Sequence, residues 1–284
     1  MYSVIGMSTP EFSLWIFLAS IIAGLLGSLT GLGGGVVVVP VLTVIFHVDI
    51  HYAIGASLVS VIATSSGAAA AYVREGFSNI RIGMFLEIAT TLGALFGAWL
   101  TTRVPTHAIG IIFGVVLLYS AWASIRIKEH MHATGKPDAL AQRLRLDGTL
   151  PTENGPEPYT AQRVPAGFSL MFLAGSLSGL LGIGSGAVKV LAMDQAMRLP
   201  FKVSTTTSNF MIGVTAAASA GIYLSRGYIS PGLAMPVMLG VLAGSLAGSK
   251  ILVHARVKVL RIIFAVVIVA LGMEMVVNSI AGKL

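Results

Sequence analysis

The chain has 284 residues, of which 55% are hydrophobic and only 10% are charged, and its mean hydropathy is +0.88. Soluble domains carry about 25% charged residues, so the composition excludes a soluble globular domain and indicates an all-α polytopic membrane protein. The sequence has no cysteine and only scattered histidines, so we expect no disulfide, no metal site and no cofactor; the net charge of +7 reflects membrane orientation rather than nucleic-acid binding.

The first half, residues 12–126, predicts a transmembrane unit of about four segments, since a spanning helix needs about 20 apolar residues. Its first segment begins as the apolar run Phe12–Leu29, is interrupted by glycines, and resumes as Val36–Phe46. The resumed run is too short to span a bilayer and is predicted to be a half-helix. A polar corner at His47–His51 follows. The remaining spans are predicted at Tyr52–Val73, Ile82–Thr101 and Ala108–Ile125.

Residues 127–164 differ from both flanking regions in composition. They contain several basic and acidic residues together with the prolines Pro137, Pro151, Pro156 and Pro158. Such a segment has little apolar surface to bury, which is typical of a solvated connection. We therefore expect a hydrophilic, mobile, cytoplasmic linker between two membrane units.

The second transmembrane unit, residues 165–280, repeats the layout of the first. Its first segment is also broken, into Gly167–Leu181 and Ala187–Met197, and a corner at Arg198–Lys202 follows. The remaining spans are predicted at Val203–Leu224, Leu233–Lys250 and Ile262–Ile280.

One motif appears in both units. Gly-Leu-Gly-Gly-Gly-Val-Val-Val-Val-Pro at Gly31–Pro40 is echoed by Gly-Ile-Gly-Ser-Gly-Ala-Val-Lys-Val-Leu at Gly182–Leu191, an offset of 151 residues. The offset holds without a gap from Ala23, which matches Ala174, to Gly97, which matches Gly248. This pattern predicts two tandem repeats, each with its first segment broken at a glycine-rich motif.

The basic residues predict the orientation of the repeats. Positive loops favour the cytoplasm, which places the linker and the basic stretch Lys250–Arg261 inside. The corner at His47–His51 then lies outside and the corner at Arg198–Lys202 inside, so the repeats are predicted to be inverted. Each broken first segment must then enter and leave on the same side of the membrane, as a re-entrant hairpin or a pair of helices. In the alternative, each broken segment crosses once, the repeats are parallel, and Lys250–Arg261 lies outside.

The glycine breaks are the first candidate for a binding site. Freed backbone N–H groups at the start of a half-helix attract anions, and breaks at matching positions of two repeats point to a transporter site. We therefore predict that Gly33, Gly34, Gly35, Gly184, Ser185 and Gly186 bind a small anion. The alternative is close helix packing by small residues, which we expect for Gly93, Gly97, Gly244 and Gly248. A dinucleotide site is disfavoured because no strand precedes the first motif.

Charged and hydroxyl side chains inside the spans supply the other candidates. Lys189 lies one turn beyond the second break and is predicted to meet the anion; the alternatives are an ion pair with Asp194 and snorkelling to the membrane surface. Glu87 and Asp194 are candidates for proton coupling. Further predicted ligands are Thr206, Ser208 and Asn209 in one polar run, with Ser57 and Thr64 in the first repeat, although hydroxyls also cap helices or bond to their own helix.

The two glycine motifs and the paired four-segment repeats resemble the TauE/SafE family of sulfite and organosulfonate exporters. The resemblance covers nearly all of the chain outside the linker, and the family's glycine motifs map onto Gly31–Pro40 and Gly182–Val190. It implies a multi-pass carrier of the cell inner membrane for sulfur-containing anions, with H⁺ or Na⁺ as the coupling ion. The chain departs from the family pattern in Lys189 and in the length of its linker.

These observations predict a secondary transporter that exports a small, sulfur-containing anion by alternating access. Its partners would be the anion, the coupling ion and the lipid bilayer. The alternative is a passive anion channel, and a non-transporting partner or sensor also remains open. An intramembrane enzyme is disfavoured because no span carries a histidine in its interior.

Overall fold

The computed structural model describes residues 8–30, 35–74, 78–126, 138–152, 155–184, 186–252 and 257–282. Helices make up most of these residues, as the apolar runs predict. The first half contains α1 (Thr9–Thr30), α2 (Gly35–Pro40) with its π-helical continuation Val41–Ile45, α3 (Ile50–Arg74), α4 (Ile80–Leu100) and α5 (Thr106–Arg126). The linker contains α6 (Ala139–Leu144), β1 (Gly148–Thr152) and β2 (Gly155–Tyr159). The second half contains α7 (Val164–Leu181), α8 (Gly186–Leu191) with its π-helical continuation Ala192–Ala196, α9 (Phe201–Ser225), α10 (Pro231–Leu252) and α11 (Val257–Ile280).

The helices have the length and polarity of membrane spans. Over the described residues, Pro10–Gly27, Ile80–Leu100 and Val164–Leu181 are each long and apolar enough to cross a bilayer. Large apolar side chains such as Trp15, Ile22 and Val277 are exposed on the outside of the bundle. Contiguous exposed apolar surface of this kind is suited to lipid. The protein is therefore an integral membrane protein whose described apolar spans are all helices, and the all-α prediction does not hold for the linker, which contains β1 and β2.

The helix of the second half breaks where the glycines predict. Helix α7 ends at Leu181, and Gly182 and Gly184 follow with φ of +67° and +68°. Glycine adopts such left-handed backbone without a steric penalty, so the chain can turn out of one helix and start the next at Gly186. In the first half, α2 begins at Gly35, the position that matches Gly186 at the 151-residue offset.

The two halves also match in the bounds of their helices. Three pairs of elements begin and end at positions that differ by 151 residues. They are α2 and α8, the π-helical segments that continue them, and α3 and α9. Helices α4 and α10 begin at matching positions, as do α5 and α11.

Helix pairs from different halves form the bundle: α1 packs on α10, α4 on α7, α3 on α9, and α5 on α11. Glycines make several of these contacts close. A Cβ atom at Gly93 or Gly97 of α4 would collide with a backbone carbonyl oxygen of α7, and one at Gly244 would collide with that of Ile21 in α1. These glycines therefore serve close helix packing, as the sequence predicts for them.

The direction of each pair follows from the residues that meet. In α4 and α7, Gly93 faces Phe172 and Gly97 faces Ser176, so residue numbers rise together and the two helices run parallel. Helices α1 and α10 are likewise parallel, because Phe17 and Ile21 meet the glycines at positions 240 and 244 in the same order.

The α3–α9 pair runs the other way. Tyr52, at the start of α3, packs on Tyr228, just past the end of α9, with ring centroids 5.7 Å apart. Further along α3, Ser65 faces Gly213 in the middle of α9. Residue numbers therefore rise along one helix as they fall along the other, and these two helices are antiparallel.

The linker departs from the sequence expectation of a solvated, mobile segment. Over residues 138–152 and 155–163 it folds into α6 and the antiparallel hairpin β1–β2, with Gly148 paired to Tyr159. Its apolar side chains Leu146, Leu150 and Tyr159 are buried in one cluster with residues of α4, α9 and the second π-helical segment. Asn79, the N-cap of α4, donates from Nδ2 to Tyr159 Oη at 2.9 Å. This folded part of the linker is called the linker module below.

Candidate functional site

The start of α2 lies next to the second glycine-rich break in the buried interior. A Cβ atom at Gly35, the first residue of α2, would lie 3.0 Å from the carbonyl oxygen of Gly182. Val61 of α3 contacts both sides: its methyl groups lie against Gly35 and against Gly184. The start of α2 and the break before α8 therefore pack side by side against α3.

Two of the serines predicted to bind an anion hold the second break in place. Ser57 of α3 donates to the carbonyl oxygen of Gly182 at 2.8 Å, and Ser208 of α9 donates to that of Gly186 at 3.3 Å. Both serines are buried. In this conformation their hydroxyl protons are used on the backbone, so they stabilise the break rather than donate to a ligand.

Directly beyond the second break, side chains from three helices form one polar chain. Lys189 of α8 donates from Nζ to Thr215 Oγ1 of α9 at 2.6 Å, and Thr215 Oγ1 lies 2.7 Å from Glu87 Oε1 of α4. The exposed fraction is 0% for Lys189 and Thr215 and 9% for Glu87. One hydroxyl thus connects a buried cation to a buried carboxylate. Lys189, Thr215 and Glu87 are called the polar bridge below.

The hydrogen bonds of the polar bridge leave both charged groups with unused capacity. Among the described residues, Thr215 is the hydrogen-bond partner of the Lys189 ammonium, which has three N–H donors. Glu87 Oε1 also accepts from Thr91 Oγ1 at 3.1 Å, whereas Oε2 is buried and has no donor among the described residues. An unsatisfied buried carboxylate oxygen is unfavourable, so this atom is a place where a proton or a ligand donor would be stabilised.

Helix geometry directs Lys189 towards the break. Side chains of an α-helix lean towards its N-terminus, so a lysine one turn after Gly186 extends back over the half-helix start. Among the described side chains, its ammonium contacts Thr215 and faces Glu87; the alternative ion pair with Asp194 is not formed. Because Lys189 is fully buried, it also does not snorkel to the surface.

Of the other predicted site residues, the two threonines form hydrogen bonds within their own helices. Thr64 Oγ1 donates to the carbonyl oxygen of Ser60 at 3.0 Å, and Thr206 Oγ1 donates to that of Lys202 at 2.9 Å, so both hydroxyls bond to their own helices. Asn209 is half-buried on α9, and Asp194 is buried in the second π-helical segment. Gly33, Gly34 and Ser185 lie outside the described residues.

Sequence reasoning missed Thr215 as a site residue. The signal was a hydroxyl in the middle of a span, at the position that matches Thr64 in the repeat. The hydroxyl at 215 bonds to Glu87 of α4, whereas the hydroxyl at 64 bonds to its own helix. The local sequence does not show this difference, because Glu87 is distant in sequence from Thr215.

Both ends of the bundle carry polar contacts outside the spans. At one end, His51 Nδ1 lies 3.1 Å from Asp49 Oδ1, and this hydrogen bond lowers the pKa of Asp49. The His51 ring stacks on Tyr228, with centroids 4.9 Å apart. At the other end the linker module covers α4 and α9, and burial raises the pKa of Tyr159. No group of three or more His, Cys, Asp or Glu side chains that could hold a metal ion occurs in the described part of the chain.

Comparison with known proteins identifies the family. The model of the family described as "Sulfite exporter TauE/SafE" matches residues 16–275. The chain is 28% identical over 270 residues to "Probable membrane transporter protein YunE" of Bacillus subtilis (strain 168), covering 92% of this chain and 96% of the relative. It is 30% identical over 236 residues to "Probable membrane transporter protein YdhB" of the same organism, covering 83% and 86%.

A relative from an archaeon is similar over almost the whole chain. "Probable membrane transporter protein MJ0441" of Methanocaldococcus jannaschii is 27% identical over 274 residues, which cover 92% of this chain and 94% of the relative. No solved structure matches the chain.

Proposed function

Because the chain belongs to the sulfite exporter TauE/SafE family, we propose that this membrane transporter exports a small sulfur-containing anion, such as sulfite or an organosulfonate, across the cell inner membrane. The observation that carries the proposal is Lys189: a fully buried ammonium one turn past the second break, with N–H donors beyond the one used on Thr215. A buried charge inside a membrane is costly and usually functional.

The surroundings of Lys189 suit an oxyanion. Sulfite and sulfonates carry three oxygens around one sulfur, so they need several donors and a positive potential. Lys189 supplies charge, and the neighbouring half-helix starts at Gly35 and Gly186 supply backbone N–H groups that have no partner within their own helices. The apolar residues Val61 and Ile212 beside Gly184 keep this region poor in competing water.

The helix directions support alternating access between two inverted repeats. In the proposed repeats, α3 corresponds to α9, and these two helices are antiparallel. Equivalent helices related by an axis along the membrane normal would run parallel, whereas inversion through an axis in the membrane plane makes them antiparallel. The α5–α11 pair agrees, because Gly114 lies against Val276 and Gly272, whereas the later residue Leu117 lies against Gly272.

Carrier transport of this kind would place the anion at the interface of the repeats. Residues of both proposed repeats form the site: Gly35 and Glu87 come from the first, and Gly182 and Lys189 from the second. A rocking movement of one repeat against the other would then expose Lys189 first to one side of the membrane and then to the other.

Binding tests this proposal directly. The purified protein in detergent is warmed with sulfite, thiosulfate, sulfoacetate, taurine, sulfate or acetate, and its melting temperature is measured; specific binding raises it by mass action. We expect one or two sulfur anions to stabilise the wild type and to lose this effect in Lys189→Met. The control Lys202→Met removes an exposed lysine at the start of α9 and should keep the effect.

Two results would count against the proposal. If no anion shifts the melting temperature of the wild type, the anion-carrier function fails. If a sulfur anion stabilises Lys189→Met as much as the wild type, the site is not at Lys189. Saturable uptake by proteoliposomes distinguishes the carrier from a passive channel, whose flux follows the anion gradient without saturating at modest concentration.

A further inference from the structure

We propose that Glu87 takes up one proton for each anion that binds at Lys189, so that the transporter carries a proton and an anion together, in the same direction. This inference rests on the proposed function, because it assigns the coupling ion and the sense of coupling at the same site. It is carried by the polar bridge, in which one hydroxyl lies between the ammonium and the carboxylate.

Thr215 can satisfy both protonation states of Glu87. Its hydroxyl has one proton to donate and two lone pairs. With Glu87 ionised, Thr215 accepts from Lys189 and donates to Glu87 Oε1 at 2.7 Å. With Glu87 protonated, the carboxyl can donate to Thr215 instead, and the hydroxyl proton turns to the carbonyl oxygen of Met211, which lies 2.9 Å away. Only protons change position in this step, because Thr215 Oγ1 already lies within hydrogen-bond distance of both acceptors.

The charge balance of the buried site sets the sense of coupling. When Glu87 is ionised, its charge compensates that of Lys189, and a bound monoanion would leave one buried negative charge in excess. Such an excess is strongly unfavourable in a low-dielectric interior. When Glu87 is protonated, Lys189 is the compensating charge for the anion. Proton binding and anion binding therefore favour each other, and each raises the affinity for the other by the same factor.

Among the described residues packed around Glu87, Lys189 is the one whose charge acts on it. Helix α7, packed along α4, contains no titratable side chain between Val164 and Leu181. The titratable side chains of α9 are Lys202 and Tyr223, which lie towards its two ends. In the described part of the linker module, Arg143, Arg145, Asp147, Glu157 and Arg163 are exposed. Asp138 is half-buried and accepts from the backbone N–H groups of Leu140 and Val164. The module contacts α4 through apolar residues and Asn79. Asp194 lies in the π-helical segment after α8, and Lys189 is the group whose charge acts on Glu87.

Coupling in this sense has a consequence for export. One proton and one monoanion together carry no net charge, so the membrane potential would neither drive nor oppose the step. Export would proceed when the outward anion gradient exceeds the inward proton gradient. A transporter with this coupling releases an anion that has accumulated inside the cell and stops when the internal concentration has fallen.

The test measures how pH changes the affinity for methanesulfonate, a sulfonate that stays ionised across the whole range used. The dissociation constant of the purified full-length protein is determined from pH 5.5 to 8.5 for the wild type, Glu87→Gln and the control Glu274→Gln. Glu274 is an exposed acid in α11 and is not part of the polar bridge.

We expect the wild-type dissociation constant to rise about tenfold per pH unit above the titration of Glu87, because one proton binds with each anion. Glu87→Gln, which mimics the protonated carboxyl, should bind tightly wherever Lys189 keeps its proton, so its affinity should change less with pH than that of the wild type, and Glu274→Gln should behave as the wild type. Binding that is independent of pH in the wild type, or that tightens as pH rises, would overturn the inference and leave the anion site standing. Absence of binding in the wild type and in Glu87→Gln would overturn the proposed function as well.

Discussion

The two halves of the molecule have similar helices but different chemistry at one set of equivalent positions. At the 151-residue offset, Lys189, Thr215 and Glu87 correspond to Val38, Thr64 and Met238. Val38 is buried, and Thr64 donates to the carbonyl oxygen of Ser60 in its own helix. The second half-helix therefore carries a charged site, and the first carries an apolar one. Under the proposed function, two similar scaffolds would support movement on both sides of a membrane, while the single polar bridge would provide one place for the anion.

The largest expected effect concerns the close helix contacts, a feature that the two halves share. Gly93→Leu and Gly244→Leu each place a side chain against a backbone carbonyl oxygen of the neighbouring helix. Both should lower the free energy of unfolding by about 3 kcal/mol or more, since overpacked helices must separate. Gly221→Leu is the control, because nothing lies within 4 Å of a Cβ atom at Gly221. Size-exclusion chromatography and melting temperature measure the result; a tolerated Gly244→Leu beside an unfolded Gly93→Leu would contradict the similarity.

The next prediction concerns the position at which the halves differ, Lys189 in the second half and Val38 in the first. Lys189→Met leaves Glu87 as a buried carboxylate without its cation, which should destabilise the protein by roughly 3–5 kcal/mol at pH 8. The loss should become smaller at low pH, where Glu87 is protonated, and Glu87→Gln in the same protein should restore much of it. Val38→Met, at the apolar equivalent, should cost about 1–3 kcal/mol by overpacking, with no dependence on pH.

Melting temperatures from pH 5 to 8 measure both effects. If Lys189→Met were no more sensitive to pH than Val38→Met, the charge of Lys189 would not be compensating Glu87.

A smaller effect is expected from the hydroxyls at the equivalent positions. Thr215→Val removes the group that joins Lys189 to Glu87, and should lower the free energy of unfolding by about 1–3 kcal/mol. Thr64→Val removes a hydroxyl that bonds only along its own helix, and should change it by less than about 0.5 kcal/mol. Thermal unfolding at pH 7 compares the two variants, and equal effects would show that the bridging position of Thr215 has no energetic weight.

The smallest expected effect concerns the linker module, which lies between the halves and has no equivalent. Tyr159→Phe removes the hydrogen bond from Asn79 and should loosen the module by about 0.5–1.5 kcal/mol. Limited proteolysis should cut the linker faster in this variant, whereas Tyr119→Phe, an exposed tyrosine of α5, should be cut at the wild-type rate. An unchanged cutting rate in Tyr159→Phe would mean that the module is held by its apolar contacts alone.

Much of this molecule could be predicted from the sequence, because membrane helices have a strong apolar signal. The runs ending near Phe46 and starting near Tyr52 correspond closely to the observed bounds of the first π-helical segment and of α3. Lys189 and Glu87 were each recognisable as isolated charges in apolar spans. Their connection was not, because it passes through Thr215 and requires the packing of α4, α8 and α9.

The fold of the linker could not be predicted for the opposite reason. It is rich in charged residues and proline compared with the membrane spans, and only a few apolar residues such as Leu146, Leu150 and Tyr159 become buried. Their burial depends on the surface that α4, α9 and the second π-helical segment provide, so the local sequence contains no sufficient signal.

The most direct test of the central claim is the movement of protons in proteoliposomes loaded with methanesulfonate and diluted into buffer without it, at zero membrane potential. If a proton leaves with each anion, the interior becomes alkaline in the wild type. Neither Lys189→Met nor Glu87→Gln should produce this change, although Glu87→Gln should still exchange labelled methanesulfonate. An interior that becomes acidic, or that keeps its pH while methanesulfonate leaves, would contradict the joint binding of proton and anion at the polar bridge.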